Sequence, residues 1–262
     1  NWGQFQEQIK KLTKVNAQGE LLQSGAALGT GANVERASDL ISALMMQNGA
    51  KMTDADGNPM MSRIPPELGG REVAPGFQAL EFYTDFANPA KETYTWNAAQ
   101  PNSLDAFIAG RTAFFFGFSY HKAQILARAP KLNLGVTKLP QIEGNPVKNI
   151  GNYWMWVVPK KSKSVEYAWN FLNFLAKPEE TKKIVDIAKR PAARRSLLGA
   201  QLEDEDVGVF ASQVLTAETW YRGKDAKTME RAMAEMIDAV VTGAAPIPSA
   251  VQLAEEKISQ TY

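Results

Sequence analysis

The sequence contains no cysteine and a single histidine, His121. The first absence excludes structural disulfides, thiolate zinc sites and cysteine nucleophiles together. The second rules out a multi-histidine metal centre, so neither a metal nor a cofactor is expected. Charge of one sign is missing as well: 29 Lys and Arg stand against 28 Asp and Glu, a formal charge of +1. Cations scattered among carboxylates make no phosphate-tracking patch, and nucleic acid is not an expected partner. Lys160, Lys161 and Lys163 form the one basic cluster that stands out, and they read as the solvated entry to a helix. No apolar run approaches the ~18 residues that a membrane-spanning helix needs. The motifs GxxxxGK[ST], HExxH and GxSxG are also absent, and Gly29-Thr-Gly31 lacks the third glycine of a dinucleotide fingerprint.

What remains is an ordinary globular composition, 262 residues of which 45% are hydrophobic. At ~100–200 residues per domain, that length suits two domains or one large one. Phe5, Ile9 and Leu12 repeat at helical spacing, as do Leu40, Ile41, Leu44 and Met45, then Phe77, Leu80, Tyr83 and Phe86. Asp54-Ala-Asp-Gly-Asn-Pro59 is a turn. Its alternating oxygens do not fit a calcium loop, because the glycine comes at the fourth position and Pro65 stands where a bidentate Glu belongs. Leu21 to Leu28 predicts a short strand running into a loop, and a short helix from Ser103 to Ala109 precedes Gly110. The spacing then predicts a fully buried strand at 112–117, a helix capped by Ser119 and ending near Pro130, and strands at 134–139 and 153–158. Beyond these the chain reads as helical. Ser164 is expected to cap a helix with Val165, Ala168, Trp169, Leu172 and Leu175 on one face. Pro178 suits the first turn of the next, with Glu179 and Glu180 at its positive end. Met229, Met233, Met236 and Val240 form a later stripe, and a last helix runs from about Ser249 to Ser259. Strands separated by helices give an α/β class.

Two kinds of chemistry deserve weighing. Glu203-Asp-Glu-Asp206 and Glu255-Glu256 are paired carboxylates, but general acid/base work needs two acids held across a cleft with separated pKa values. Adjacent acids read instead as solvated helix surface. Aromatic residues are more informative: Gly117-Phe-Ser-Tyr120, Gly151-Asn-Tyr-Trp154 and Thr219-Trp-Tyr-Arg222 put rings beside glycine or at element ends. A sugar has an apolar C–H face and a rim of hydroxyls, which flat rings and a few amides can match.

The order of these pieces resembles a known family. Phe107-Ile-Ala-Gly110-Arg-Thr-Ala running into an apolar strand is similar to the F-x-x-G-[KR]-x-A run of family 1 extracellular solute-binding proteins, the maltose-binding-like receptors of ABC importers. Leu134-Gly-Val-Thr-Lys-Leu-Pro140, Gly144 and Ile150-Gly-Asn-Tyr-Trp154 follow in that family's order. So do Val158-Pro-Lys-Lys-Ser-Lys-Ser164, Ala168-Trp-Asn-Phe-Leu-Asn-Phe-Leu175 and Arg190-Pro-Ala-Ala-Arg194. The opening Asn1-Trp-Gly-Gln-Phe with Lys11-Leu-Thr13 resembles the helix after the family's first interlobe crossing.

The resemblance implies a periplasmic-binding-protein-like two-lobe α/β fold of type II. Residues 1–139 and 189–262 would form a C-terminal-type lobe, with 140–188 as the return into the N-terminal-type lobe. The rest of that lobe is missing, and with Asn1 in place of an initiating Met the chain is expected to be a fragment of a longer receptor. The resemblance further implies a non-enzymatic receptor on the periplasmic or extracellular face, lipid-anchored in some forms. It would hand a saccharide to an ABC permease by hinge closure. Polyols, glycerol phosphate and polyamines are the next ligand classes. Carried over by position, the expected ligand contacts are Tyr120 and Ser119, then Asn152, Tyr153 and Trp154, then Asn33, and finally Trp220 and Tyr221. The competing readings are a carbohydrate-active α/β enzyme using paired acids and a structural domain with no ligand.

Overall fold

A computed structural model describes residues 1–262 as two compact units. The first comprises 1–117, 139–150 and 218–262; the second comprises 118–138 and 151–217.

The first unit is built around helix α1 (Trp2–Leu12) and strand β2 (Leu21–Ala26). Asn1 caps α1 by accepting from the Gln4 amide at 2.8 Å, and Trp2, Phe5 and Ile9 form its buried stripe. Gly25 lets the two backbones meet, since a Cβ there would stand 2.6 Å from the Ile9 carbonyl oxygen. β2 pairs antiparallel with β1 (Lys14–Val15) and parallel with β3 (Thr112–Phe114), with Ser24 opposite Thr112 and Ala26 opposite Phe114. The Thr95 hydroxyl accepts from the amides of Gly25 and Ala26 at 2.8 and 3.1 Å, so the bend at the end of β2 leaves no orphan donors,.

Helices α2 (Ala37–Gln47), α3 (Pro75–Asp85), α10 (Ala226–Val241) and α11 (Ile247–Ser259) pack against one another, while α1 lies on β2 and α4 (Ser103–Ile108) beside β3. Their stripes follow the helical period. Leu40, Ile41, Leu44 and Met45 are buried on α2, and Met229, Met233, Met236 and Ile237 on α10. An aromatic cluster joins α1 to α3 and β3, with Trp2 edge-on to Phe5 at 5.5 Å and to Phe82 at 5.6 Å, and Phe5 edge-on to Phe114 at 5.3 Å,. Tyr83 is wholly buried and donates its hydroxyl to the Thr30 carbonyl at 3.0 Å. Burial, with the Asp238 charge nearby, pushes that phenol far above its ordinary range,. Gln47 is likewise buried: its side-chain oxygen accepts from Trp2 Nε1 at 2.7 Å, and its nitrogen donates to the carbonyls of Pro140 and Lys148 at 3.1 and 3.0 Å. One amide thereby fixes the 139–150 segment to the helical body.

The second unit carries α5 (Ser119–Arg128), α6 (Val165–Leu175), α7 (Pro178–Ala188), α8 (Arg195–Gln201) and α9 (Gly208–Ala211). Its core is small: His121, Ile125, Ala192, Leu198, Val207 and Ala211 are buried, and Gln201 ties the loop before α8 by accepting from the Ala192 amide and donating to the Arg190 carbonyl. Strand β4 (Asn149–Ile150) pairs with β5 (Ala217–Glu218).

Several expectations fail here. The run 112–117 yields a strand of three residues with only Thr112 buried, because Ala113 faces solvent. Segments 134–139 and 153–158 join no ladder, since a strand needs a partner and none lies beside them. Ser119 does not cap α5: it is the first helical residue, and the amide of Phe118 is satisfied by His121 Nδ1 at 2.9 Å. Ser164 precedes α6 without a capping hydrogen bond from its side chain, and the apolar face of α6 buries no residue. The last helix begins at Ile247, because Pro248 fits its first turn,.

Candidate functional site

The aromatic residues singled out in the sequence fall into two groups with different surroundings. In the second unit the chain turns into α5 through Phe118-Ser-Tyr-His121, and its rings stack. Phe118 lies 5.9 Å from Tyr120 at 20°, Tyr120 lies 4.1 Å from His121, and the Arg190 guanidinium sits 6.0 Å from the Tyr120 centroid. His121 is buried beneath, while Tyr120 and Ser119 are half-buried at the start of the helix. The result is a half-buried Tyr120 ring packed between Phe118 and His121, with the Arg190 cation over it,.

Beside it, Lys122 donates to Asp206 at 2.7 Å and Lys189 reaches the same carboxylate at 3.1 Å. The Lys122 hydrogen bond first, then that of Lys189, holds the Asp206 carboxyl below the usual range,. Asp206 is thus an anion paired with two lysines. Asn152, Tyr153 and Trp154 lie outside any helix or strand in the same unit, all exposed, Trp154 at 87%.

The first unit treats its candidates differently. Asn33 has no hydrogen-bonding capacity left in its side chain. Its nitrogen donates to the Asn97 and Gln100 carbonyls at 3.0 and 2.9 Å, and its oxygen accepts from Trp96 Nε1 at 3.1 Å and from the Thr30 hydroxyl. A four-fold satisfied amide organises its loop. Trp220 is a core residue whose Nε1 donates to the Ser42 hydroxyl at 3.0 Å. Tyr221 donates to Thr261 Oγ1 at 2.7 Å and accepts from the Asp225 amide at 2.9 Å. These three were expected at a ligand, and the structure uses their polar atoms for scaffolding.

Two further features escape sequence reading. Glu255, expected to be solvated, accepts from the Ser62 amide and hydroxyl, both at 2.7 Å, and so clasps that loop to α11. A cavity of about 340 Å³ in the first unit is lined by Trp2, Leu44, Phe82 and Ile142, with Asn48 and Gln141 among its polar groups. Asp54 accepts from the amides of Asp56 and Asn58 and from the Asn58 side chain, and no cluster of acids or histidine able to hold a metal is present. No helix is long and apolar enough to cross a membrane.

The family model for bacterial extracellular solute-binding proteins matches residues 1–182. The chain belongs to that family. No curated protein matches the sequence. Among solved structures, a solute-binding protein of an ABC transporter from Thermotoga lettingae, bound with α-D-tagatose, is similar to all of this chain with a TM-score of 0.71 at 16% identity. Maltose-bound MalE3 of T. maritima gives 0.70 at 17%, and a ribitol complex from Agrobacterium radiobacter K84 gives 0.63 at 19%, each again over the whole of this chain. The chain spans only 64%, 65% and 64% of these three structures in turn. It is therefore an α/β solute-binding chain covering under two thirds of those solved folds.

Proposed function

We propose that this solute-binding chain forms part of a receptor for a small saccharide or polyol, with Tyr120 as its stacking platform. The observation that carries the reading is the cluster of Phe118, half-buried Tyr120 and His121 with Arg190 over the Tyr120 ring, in a chain of this family. Tagatose, maltose and ribitol, seen in the similar structures, share the C–H faces and hydroxyl rims that such a surface binds,. Ser119 and the exposed Asn152, Tyr153 and Trp154 supply further hydroxyl, amide and ring contacts.

In this reading the first unit belongs to the C-terminal-type lobe and the second to the N-terminal-type lobe, so that 118–138 and 189–217 change to the N-terminal-type lobe and 140–150 to the C-terminal-type one, against the sequence assignment. The ligand stabilises a closed state to the extent of its differential affinity for it. An ABC permease on the extracytoplasmic face takes that state as its substrate complex, and binding occurs without turnover. Lipid anchoring is compatible with the same role.

Calorimetric titration with tagatose, maltose, mannobiose and ribitol, with chromatography of the sugar afterwards, tests this. Saturable heat and unchanged sugar are expected. Product formation would assign the enzyme reading, and absence of saturation by every sugar would overturn the saccharide reading.

A further inference from the structure

The turn that opens α5 is closed by a reciprocal pair of hydrogen bonds. The His121 amide donates to the Phe118 carbonyl at 3.0 Å, and the Phe118 amide donates to His121 Nδ1 at 2.9 Å. The second bond takes the place of the usual capping-box contact, in which a Glu or Gln at the third helical position accepts from the N-cap amide. Here the acceptor is an imidazole. A backbone amide can only donate, so Nδ1 carries a lone pair and the proton of the neutral ring is on Nε2. Protonation of Nδ1 removes the acceptor and sets two donors against each other. Histidine is the side chain whose unperturbed form makes that change between about pH 5 and pH 8. The surroundings oppose the added charge. His121 is 2% exposed, with the Tyr120 ring 4.1 Å and the Phe118 ring 6.5 Å away. Arg190, after α7, holds its guanidinium 6.0 Å from the Tyr120 centroid, and Lys122 follows His121 on the helix. Asp206, ahead of α9, is engaged by Lys122 and Lys189, and Asp204 accepts from the amides of Asp206 and Val207. An imidazolium would therefore add a buried charge to a turn that already gathers three cations.

We propose that His121 is a proton-responsive positioning residue for Tyr120: between about pH 7 and pH 5 its Nδ1 takes a proton, the first turn of α5 opens, and sugar held at neutral pH is released. The sign follows from which state binds the proton. An unfolded imidazole accepts it near about 6.5, whereas the closed turn must give up a hydrogen bond to do so. The stability of the turn is therefore complete above that value and is lost as pH falls below it. Tyr120 immediately precedes His121 and stacks on its ring, so opening the turn carries the platform with it. The release of sugar rests on the saccharide reading of Tyr120, while the response of the turn is read without any sugar.

NMR of the full chain between about pH 8 and pH 5 tests the turn, and His121 is the one histidine in the sequence, so its imidazole signals stand alone,. The imidazole C–H, the Phe118 amide and the Tyr120 ring signals are expected to move together with one midpoint. Calorimetric titration with tagatose, maltose, mannobiose and ribitol at the two ends of that range tests release. Affinity for a sugar that binds should fall at least about fivefold, and by no more than about tenfold per pH unit, the limit for one proton. His121→Gln keeps an acceptor at the capping position and does not titrate, so its ratio of affinities at the two ends should stay within about twofold. The proposal falls if the imidazole titrates while Phe118 and Tyr120 stay still, if it takes up no proton in this range, or if His121→Gln keeps the parent's ratio. Absence of heat with every sugar at both ends overturns the saccharide reading and with it the release of sugar, and the NMR titration tells that failure apart from failure of the turn to respond.

Discussion

The indole nitrogen of Trp2 donates to the side-chain oxygen of Gln47 across 2.7 Å of buried interior, joining residues 45 apart in sequence. The same amide holds the carbonyls of Pro140 and Lys148, and the Gln47 carbonyl accepts from Asn145 at 2.8 Å. Gln47→Ala therefore strands a buried donor and two acceptors at once. A loss of about 3 kcal/mol is expected, at the upper end of the cost of unsatisfied buried groups. Urea unfolding measures it, and exchange should rise in 139–150 before anywhere else in that unit.

Close backbone approach predicts a contrast among glycines. A Cβ at Gly31 would lie 2.3 Å from the Ala234 carbonyl oxygen, and the Gly31 amide donates to Asp238 at 2.7 Å. Gly31→Ala forces α10 outward, at about 1–3 kcal/mol for overpacking. Gly135→Ala meets no atom within 4 Å and should leave the melting temperature unchanged.

Helices were largely legible in the sequence because their signals are local. The Leu40 to Met45 stripe, Pro178 at a first turn and the methionines of α10 each declare a face or a boundary within a few residues,. Strands were less so. The composition of 153–158 states that both faces are apolar, whereas forming a strand depends on a neighbour elsewhere, and none is present. The site divided on the same principle. Tyr120 lies in the first turn of α5 and stacks on neighbours Phe118 and His121, with Arg190 alone coming from afar, while Asn33 and Trp220 are held by partners 63 and 178 positions away. No spacing distinguishes an amide with four partners from one facing a cleft.

Acid should weaken the second unit through Asp206. Its carboxyl titrates below the ordinary 3.8 because Lys122 and Lys189 bind the charged form. The stabilisation is complete above the unfolded value and is lost as pH falls through the lower folded one. The group is exposed, so the loss should not exceed about 1 kcal/mol and should shrink in high salt. The destabilisation of Asp206→Asn relative to the parent should be larger at pH 7 than at pH 3.

Tyr120→Ala removes the stacking surface but little of the small core. Affinity for whichever sugar saturates the chain is expected to fall about tenfold, equivalent to about 1.4 kcal/mol, with the melting temperature nearly unchanged. Tyr120→Phe should retain most of the affinity. A large drop in melting temperature with unaltered affinity would make Tyr120 a packing residue.

The Tyr83 phenol lies where no hydroxide can reach it and cannot ionise while its unit stays closed. In rising alkali Tyr83 stays silent until the fold opens. Its late ultraviolet absorbance step then counts opened molecules, an intrinsic clock for the first unit that needs no label and is blind to the second.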